Sequence, residues 1–187
     1  MPDGDEAAPT GAERKMRKVL MIAYAFPPMG GSGVQRTLKF AKYLPDFGWE
    51  PIILTASQAL MEQQGETDYS LLDDIPAAAA VHRIPDPRLR RFLSRRPNGP
   101  AMEFTDSRQL RRDGTGGYAR ALAKSLVFVP DAQIEWLPLA LSEAISLVRR
   151  HKVDLIWSTS DPFTDHLVAY LLKRLGARPW VADFRDP

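Results

Sequence analysis

Cysteine is missing from all 187 residues, which excludes a disulfide framework and a thiolate-held metal and fits a reducing compartment. Histidine is scarce. His82, His151 and His166 are far apart and none sits in a metal-ligand spacing, so they read as surface or helix-end residues and no metal site is expected. No apolar run approaches the ~20 residues needed to cross a bilayer. Met1 to Lys15 is rich in Asp, Glu, Ala, Pro and Gly without the apolar centre of a signal peptide, so residues 1–16 are expected to form a disordered leader. An excess of one charge is absent too, since 25 Lys and Arg face 23 Asp and Glu for a net +2. The chain as a whole makes no case for nucleic-acid binding.

What remains is an alternation of strand and helix signals. Lys18 to Tyr24 is almost wholly apolar, as a parallel strand buried on both faces requires. Pro27 and Pro28 end it, Gly30, Gly31 and Gly33 permit a bend, and Ser32 is positioned to cap a helix. Val34, Leu38, Ala41 and Leu44 recur at helical spacing before Pro45 and Gly48 stop the pattern. Trp49 to Thr55 reads as the second strand and Val81 to Ile84 as the third. Helices are expected over Tyr118–Val129 and Pro138–Arg150. A fourth strand is expected over Val153–Trp157, a helix from Asp161-Pro162 onward, and a fifth strand over Pro179–Ala182. One domain of 17–187 follows, an α/β fold with a Rossmann-like parallel sheet and helices on both faces. It lacks a covering helix after the last strand and is expected to be truncated.

Right-handed crossovers bring three segments to the carboxyl edge of such a sheet, where ligands bind. These are Gly30 to Arg36, Ser158 to Ser160, and Asp183 to Asp186. The first is a helix start whose amides suit a phosphate. The second is equally explained by capping and turn chemistry. The third sets Arg185 between two carboxylates and is open to either a sugar-phosphate site or a structural ion network. Asp131 and Trp136 are open to a simpler reading as a turn and a core anchor. Dinucleotide binding fails because Arg36 stands at the third glycine position and the second strand ends Leu54, Thr55, Ala56 without a carboxylate. A phosphate-binding P-loop fails because no Gly-Lys-Ser/Thr follows the glycines. An insertion at 85–117 is strongly basic, with Arg88, Arg90, Arg91, Arg95, Arg96, Arg108, Arg111 and Arg112. A solvated insertion is the first reading of that stretch, an anionic lipid surface or charged acceptor the second, and nucleic acid the last, since its aromatics are sparse.

FPPMGGSGVQRTLKFAKYLPDFGWEP, then Pro130-Asp131 with Trp136, DLIWSTSDPFTDH and PWVADFRDP, together resemble the N-terminal half of a bacterial GT-B glycosyltransferase of family 4. The resemblance implies two facing Rossmann-like domains, of which the C-terminal, nucleotide-holding one is missing here together with its paired glutamates. It implies donor-phosphate contacts from Gly30, Gly31, Ser32, Gly33 and Arg36, acceptor contacts from Trp136, Ser158, Ser160, Phe163 and Thr164, and roles near the reacting sugar for Asp183, Arg185 and Asp186. Asp161 stands where relatives usually have a proline, and Arg185 where many have a histidine. The implied reaction is retaining transfer from a UDP-, GDP- or dTDP-linked sugar, a substrate rather than a cofactor, to a glycan or lipid-linked acceptor in polysaccharide synthesis. Cytoplasmic placement, peripheral at the inner membrane face through the basic insertion, follows from the same resemblance. The competing expectations are a stand-alone anion- or glycan-binding module and a fragment of a GT-B nucleotide-sugar epimerase.

Overall fold

A computed structural model describes residues 16–64, 66–85, 130–131, 133–176 and 178–185. The expected leader up to Lys15, nearly all of the basic insertion, the helix at Tyr118–Val129, Asp186 and Pro187 lie outside these residues.

Five parallel strands form one sheet in the order β3-β2-β1-β4-β5. They are β1 (Arg17–Ile22), β2 (Trp49–Ala56), β3 (Ala80–Ile84), β4 (Leu155–Thr159) and β5 (Trp180–Asp183). In the centre Leu20 lies opposite both Ile52 and Ile156. Val19 through Ile22 are all buried, as a strand with helices on both faces demands.

The side-chain alternation of the strands divides the core in two. On one face Val19, Met21, Ile53 and Trp157 pack with Val34, Leu38 and Ala41 of helix α1 (Ser32–Tyr43) and with Leu71. On the other, Leu20, Ile22, Ile52, Leu54 and Ile156 meet Ala140, Ala144 and Leu147 of α3 (Leu137–His151) and Val168, Ala169 and Leu172 of α4 (Thr164–Gly176). Alanines in α3 and α4 let those helices approach closely, and the two also touch each other. Helix α1 ends in a 3-10 turn, Leu44–Phe47, closed by Gly48 at φ 77°, where its amide donates to Leu44 O and Pro45 O. A short helix α2 (Gln58–Gln64) and a 3-10 turn (Tyr69–Leu72) connect β2 to β3.

Most strand and helix ends fall one to three residues from those read in the sequence, and two of the differences bear on the site. The fourth strand is Leu155–Thr159 rather than Val153–Trp157, because Val153 is buried before the ladder starts and Ser158 and Thr159 continue it. Helix α1 is not capped by Ser32. That residue is already helical, Gly31 is the N-cap at φ 106°, and no side chain caps this end. Only glycine adopts that backbone without strain.

Among the described residues no helix is long and apolar enough to cross a membrane, and no group of three or more His, Cys, Asp or Glu side chains could hold a metal ion.

Candidate functional site

The carboxyl ends of β1, β4 and β5 are neighbours in the sheet, so the residues after them meet at one edge. The loop after β1 is tied down from outside. Gly30 N–H donates to Glu66 O at 2.8 Å, Asp68 N–H to Pro28 O at 2.7 Å, and Arg83 Nη2 to Pro27 O at 2.6 Å. The chain then enters α1 with its first-turn amides uncapped and no acidic residue in that turn. The amides of Ser32, Gly33 and Val34 have no acceptor within an α-helix, and among the described residues no side chain caps them or offsets the positive end of the helix dipole.

Arg185 is brought to this same point. Its Nε donates to the carbonyl of Ser160, its Nη2 to the carbonyl of Asp161 at 3.2 Å, and its own amide to Ser160 Oγ at 3.3 Å. The guanidinium so anchored lies against Gly33, where an added Cβ would fall 2.7 Å from Arg185 Cζ. A permanent cation therefore stands beside a positive helix end. Such a juxtaposition is unfavourable until an anion neutralises both.

Asp183 has a different partner from the one its spacing suggests. Instead of flanking Arg185, its carboxylate takes a two-pronged contact from Arg36, Nε to Oδ2 at 2.9 Å and Nη2 to Oδ1 at 2.8 Å, with Thr159 Oγ1 adding a bond at 3.2 Å. The hydrogen bond from Arg36 holds the Asp183 carboxyl below its ordinary range, and the same pair raises Arg36. Half of the Arg36 side chain is exposed, so the pair is worth at most about 1 kcal/mol. It does bind the fifth residue of α1 to the end of β5. Arg36 is thereby committed to Asp183 rather than presented to a phosphate.

Most of the expected acceptor contacts are inside the protein. Trp136 is 1% exposed and packs edge-on to Tyr24, with centroids 5.4 Å apart. Thr164 is buried, and both its amide and its hydroxyl donate to the Asp131 carboxylate, at 2.7 and 2.6 Å. Asp131 thus caps α4 from 33 positions away, and the helix begins at Thr164 rather than at Asp161. Ser160 is buried and serves Arg185. Ser158 is buried between Trp180, whose Nε1 donates to its Oγ at 2.8 Å, and His166, whose Nδ1 is 2.8 Å from that Oγ. These four therefore shape the edge from beneath. Phe163, at 44% exposure, is the member of the set that reaches the surface.

Two groups at this edge escaped the sequence reading. His166, read as a surface or helix-end residue, is 7% exposed, with its ring 4.5 Å from that of Phe184. Asp165 is fully buried, and its Oδ2 accepts from the Tyr24 amide at 2.8 Å. Only its place in the first turn of α4, directly after a strand ending in Ser and Thr, hinted at either.

Burial pushes the Asp165 carboxyl well above its ordinary value near 3.8, and the nearby Asp131 adds to the shift. Native protein therefore keeps a proton that the unfolded chain releases once the pH passes that value. The linkage makes this residue's contribution fall as pH rises through that window. Asp165→Asn removes the titration, so its stability relative to the parent is expected to climb as the pH rises above the ordinary carboxylate range. Urea midpoints through that rise check this, and a pH-independent difference would refute it.

No family model matches the sequence, and no curated protein matches it. Solved structures do. Sucrose-phosphate synthase from Thermosynechococcus elongatus shares 10% identity at a TM-score of 0.52, over 91% of this chain and 33% of that one. The glycosyltransferase SsfS6 from Streptomyces sp. SF2575, complexed with thymidine diphosphate, gives 20% identity and a TM-score of 0.46 over 90% of this chain and 38% of that one. A glycosyltransferase from Rickettsia africae gives 13% and 0.43, over 89% and 29%. The likeness to the synthase is one of fold, the Rossmann-like α/β arrangement expected from the sequence. This chain spans about a third of the synthase's length.

Proposed function

We propose that this chain forms the acceptor-side domain of a retaining GT-B glycosyltransferase of family 4, moving a sugar from a nucleotide donor to a glycan or lipid-linked acceptor in cell-surface polysaccharide synthesis. One observation carries the reading: the uncapped start of α1 with Arg185 held against Gly33. A departing nucleoside diphosphate builds up negative charge as the glycosidic bond to the donor breaks. Fixed amides and a guanidinium already facing that charge stabilise the transition state without reorganising. Arg185 supplies charge and not a proton, because guanidinium does not deprotonate in proteins. Asp183 keeps Arg36 in place and so holds the first turn of α1 against β5. The protein works at the cytoplasmic membrane face, with the second, nucleotide-holding domain supplied by further chain.

Inorganic pyrophosphate tests the anion site directly. Its addition is expected to shift the amide signals of Ser32, Gly33 and Val34 in a saturable way, and Arg185→Ala to weaken that response at least about tenfold. Unmoved amides would overturn the reading. The 187 residues alone are expected to transfer no sugar, and measured release of UDP, GDP or dTDP with transfer from any of their sugars would refute that part.

A further inference from the structure

The hydrogen bonds around Ser158 decide where the proton of His166 sits. Trp180 Nε1 only donates, so Ser158 Oγ accepts from it at 2.8 Å. The hydroxyl then has one proton of its own to place, and His166 Nδ1, 2.8 Å away, is its partner. Among the described residues the hydroxyl proton has no other acceptor, so the arrangement that leaves neither group unmet has Nδ1 accepting and the ring proton on Nε2. Burial lowers the pKa of His166, which keeps the ring neutral and agrees with that assignment. Nε2 is itself buried and has no hydrogen-bond partner among the described residues. A donor fixed in this state and left unmet is costly, and it is satisfied when an oxygen arrives.

The surroundings specify what carries that oxygen. Phe184 lies 4.5 Å from the His166 ring and Phe163 lies 6.3 Å from it, centroid to centroid. Both are well exposed, at 63% and 44%, and so leave ring surface open to a ligand beside the histidine. Two exposed aromatic rings beside an orphan N–H suit a molecule with an apolar C–H face and hydroxyl oxygens at its rim. Phe184 directly precedes Arg185, so this spot adjoins the anion site.

We propose that Phe163, His166 and Phe184 form a binding site for a hexopyranose ring of the acceptor, with His166 Nε2–H donating to a ring hydroxyl oxygen. The Trp180–Ser158–His166 chain positions the donor, and the two phenylalanines hold the ring. This rests on the glycosyltransferase reading only in naming the sugar as acceptor.

Two-bond proton–nitrogen NMR spectra of the whole chain test it with methyl glucoside, methyl galactoside, methyl mannoside and methyl N-acetylglucosaminide as probes. The sugar-free protein is expected to show His166 protonated at Nε2. At least one glycoside is expected to shift that nitrogen saturably, with a Kd on the order of millimolar. Phe184→Leu and Phe163→Leu, both at exposed positions, are expected to weaken binding by about threefold to tenfold. His166→Gln, which offers an amide donor near the Nε2 position, is expected to retain more affinity than His166→Phe. A proton on Nδ1, or no response to any of the four glycosides, overturns the proposal. An Nε2–H that ignores sugars while pyrophosphate still shifts the α1 amides sinks this site alone. Sugar binding without a pyrophosphate response sinks the glycosyltransferase reading alone.

Discussion

Replacing Gly33 with alanine is expected to leave the protein folded and to cost it at least about tenfold in pyrophosphate affinity. The two halves of that result have separate causes. Gly33 lies inside α1 and not at positive φ, so alanine fits its backbone and gains up to about 1 kcal/mol of helix propensity. The new methyl group would sit 2.7 Å from Arg185 Cζ and 3.1 Å from Nη2. What must yield is the far end of a flexible side chain, and it yields by leaving its place over the helix end. The contacts from Arg185 to the Ser160 and Asp161 carbonyls are then lost, which offsets the propensity gain. Net stability should stay within about 1 kcal/mol of the parent, as read from thermal unfolding. Calorimetric titration with pyrophosphate reads the other half. Unchanged affinity would show that Arg185 has no part in the anion site. Gly31→Ala is a useful contrast, since nothing lies within 4 Å of its added Cβ but its φ of 106° makes any side chain strained. There the loss should appear in stability.

The difference between these two glycines was not legible in the chain, though much else was. Runs such as Val19–Ile22 and Ile52–Leu54 declare buried parallel strands because both faces must be apolar, and the order of strands and helices then leaves few topologies. The meeting of Gly33 with the residues after β5 also followed from topology. The partners did not. Arg36 reaches Asp183 across 147 positions and Asp131 caps Thr164 across 33, and neither pairing leaves a local spacing to read. The same holds for Ser158. A serine at a strand's end looks like an exposed cap until Trp180 and His166 close over it. Polar residues at the ligand edge thus divided into a few that face outward and several that hold those few in place, a division made only by long-range contacts.

Trp136→Ala and Phe163→Ala should separate those two kinds of residue, and they carry the largest expected contrast in stability. Trp136 is among the largest fully buried side chains and packs on Tyr24, in the core formed with α3. Its truncation removes the transfer energy of an indole and leaves a cavity that rigid strands on one side and a helix on the other cannot fill. A loss of about 3–5 kcal/mol is expected, which lowers the melting temperature by roughly 10 °C in a domain of this size. Phe163 has nearly half its surface in water already, so its truncation should change stability by no more than about 0.5 kcal/mol. If Trp136 instead touched the acceptor, Trp136→Ala would keep its melting temperature and lose only sugar binding. Trp136→Phe sharpens the comparison, because it preserves most of the buried volume and the edge-on packing against Tyr24. That variant should recover more than half of the lost stability, since the indole Nε1 has no hydrogen-bond partner to forfeit. A melting temperature for Trp136→Phe as low as that of Trp136→Ala would mean that the indole is held by something other than packing.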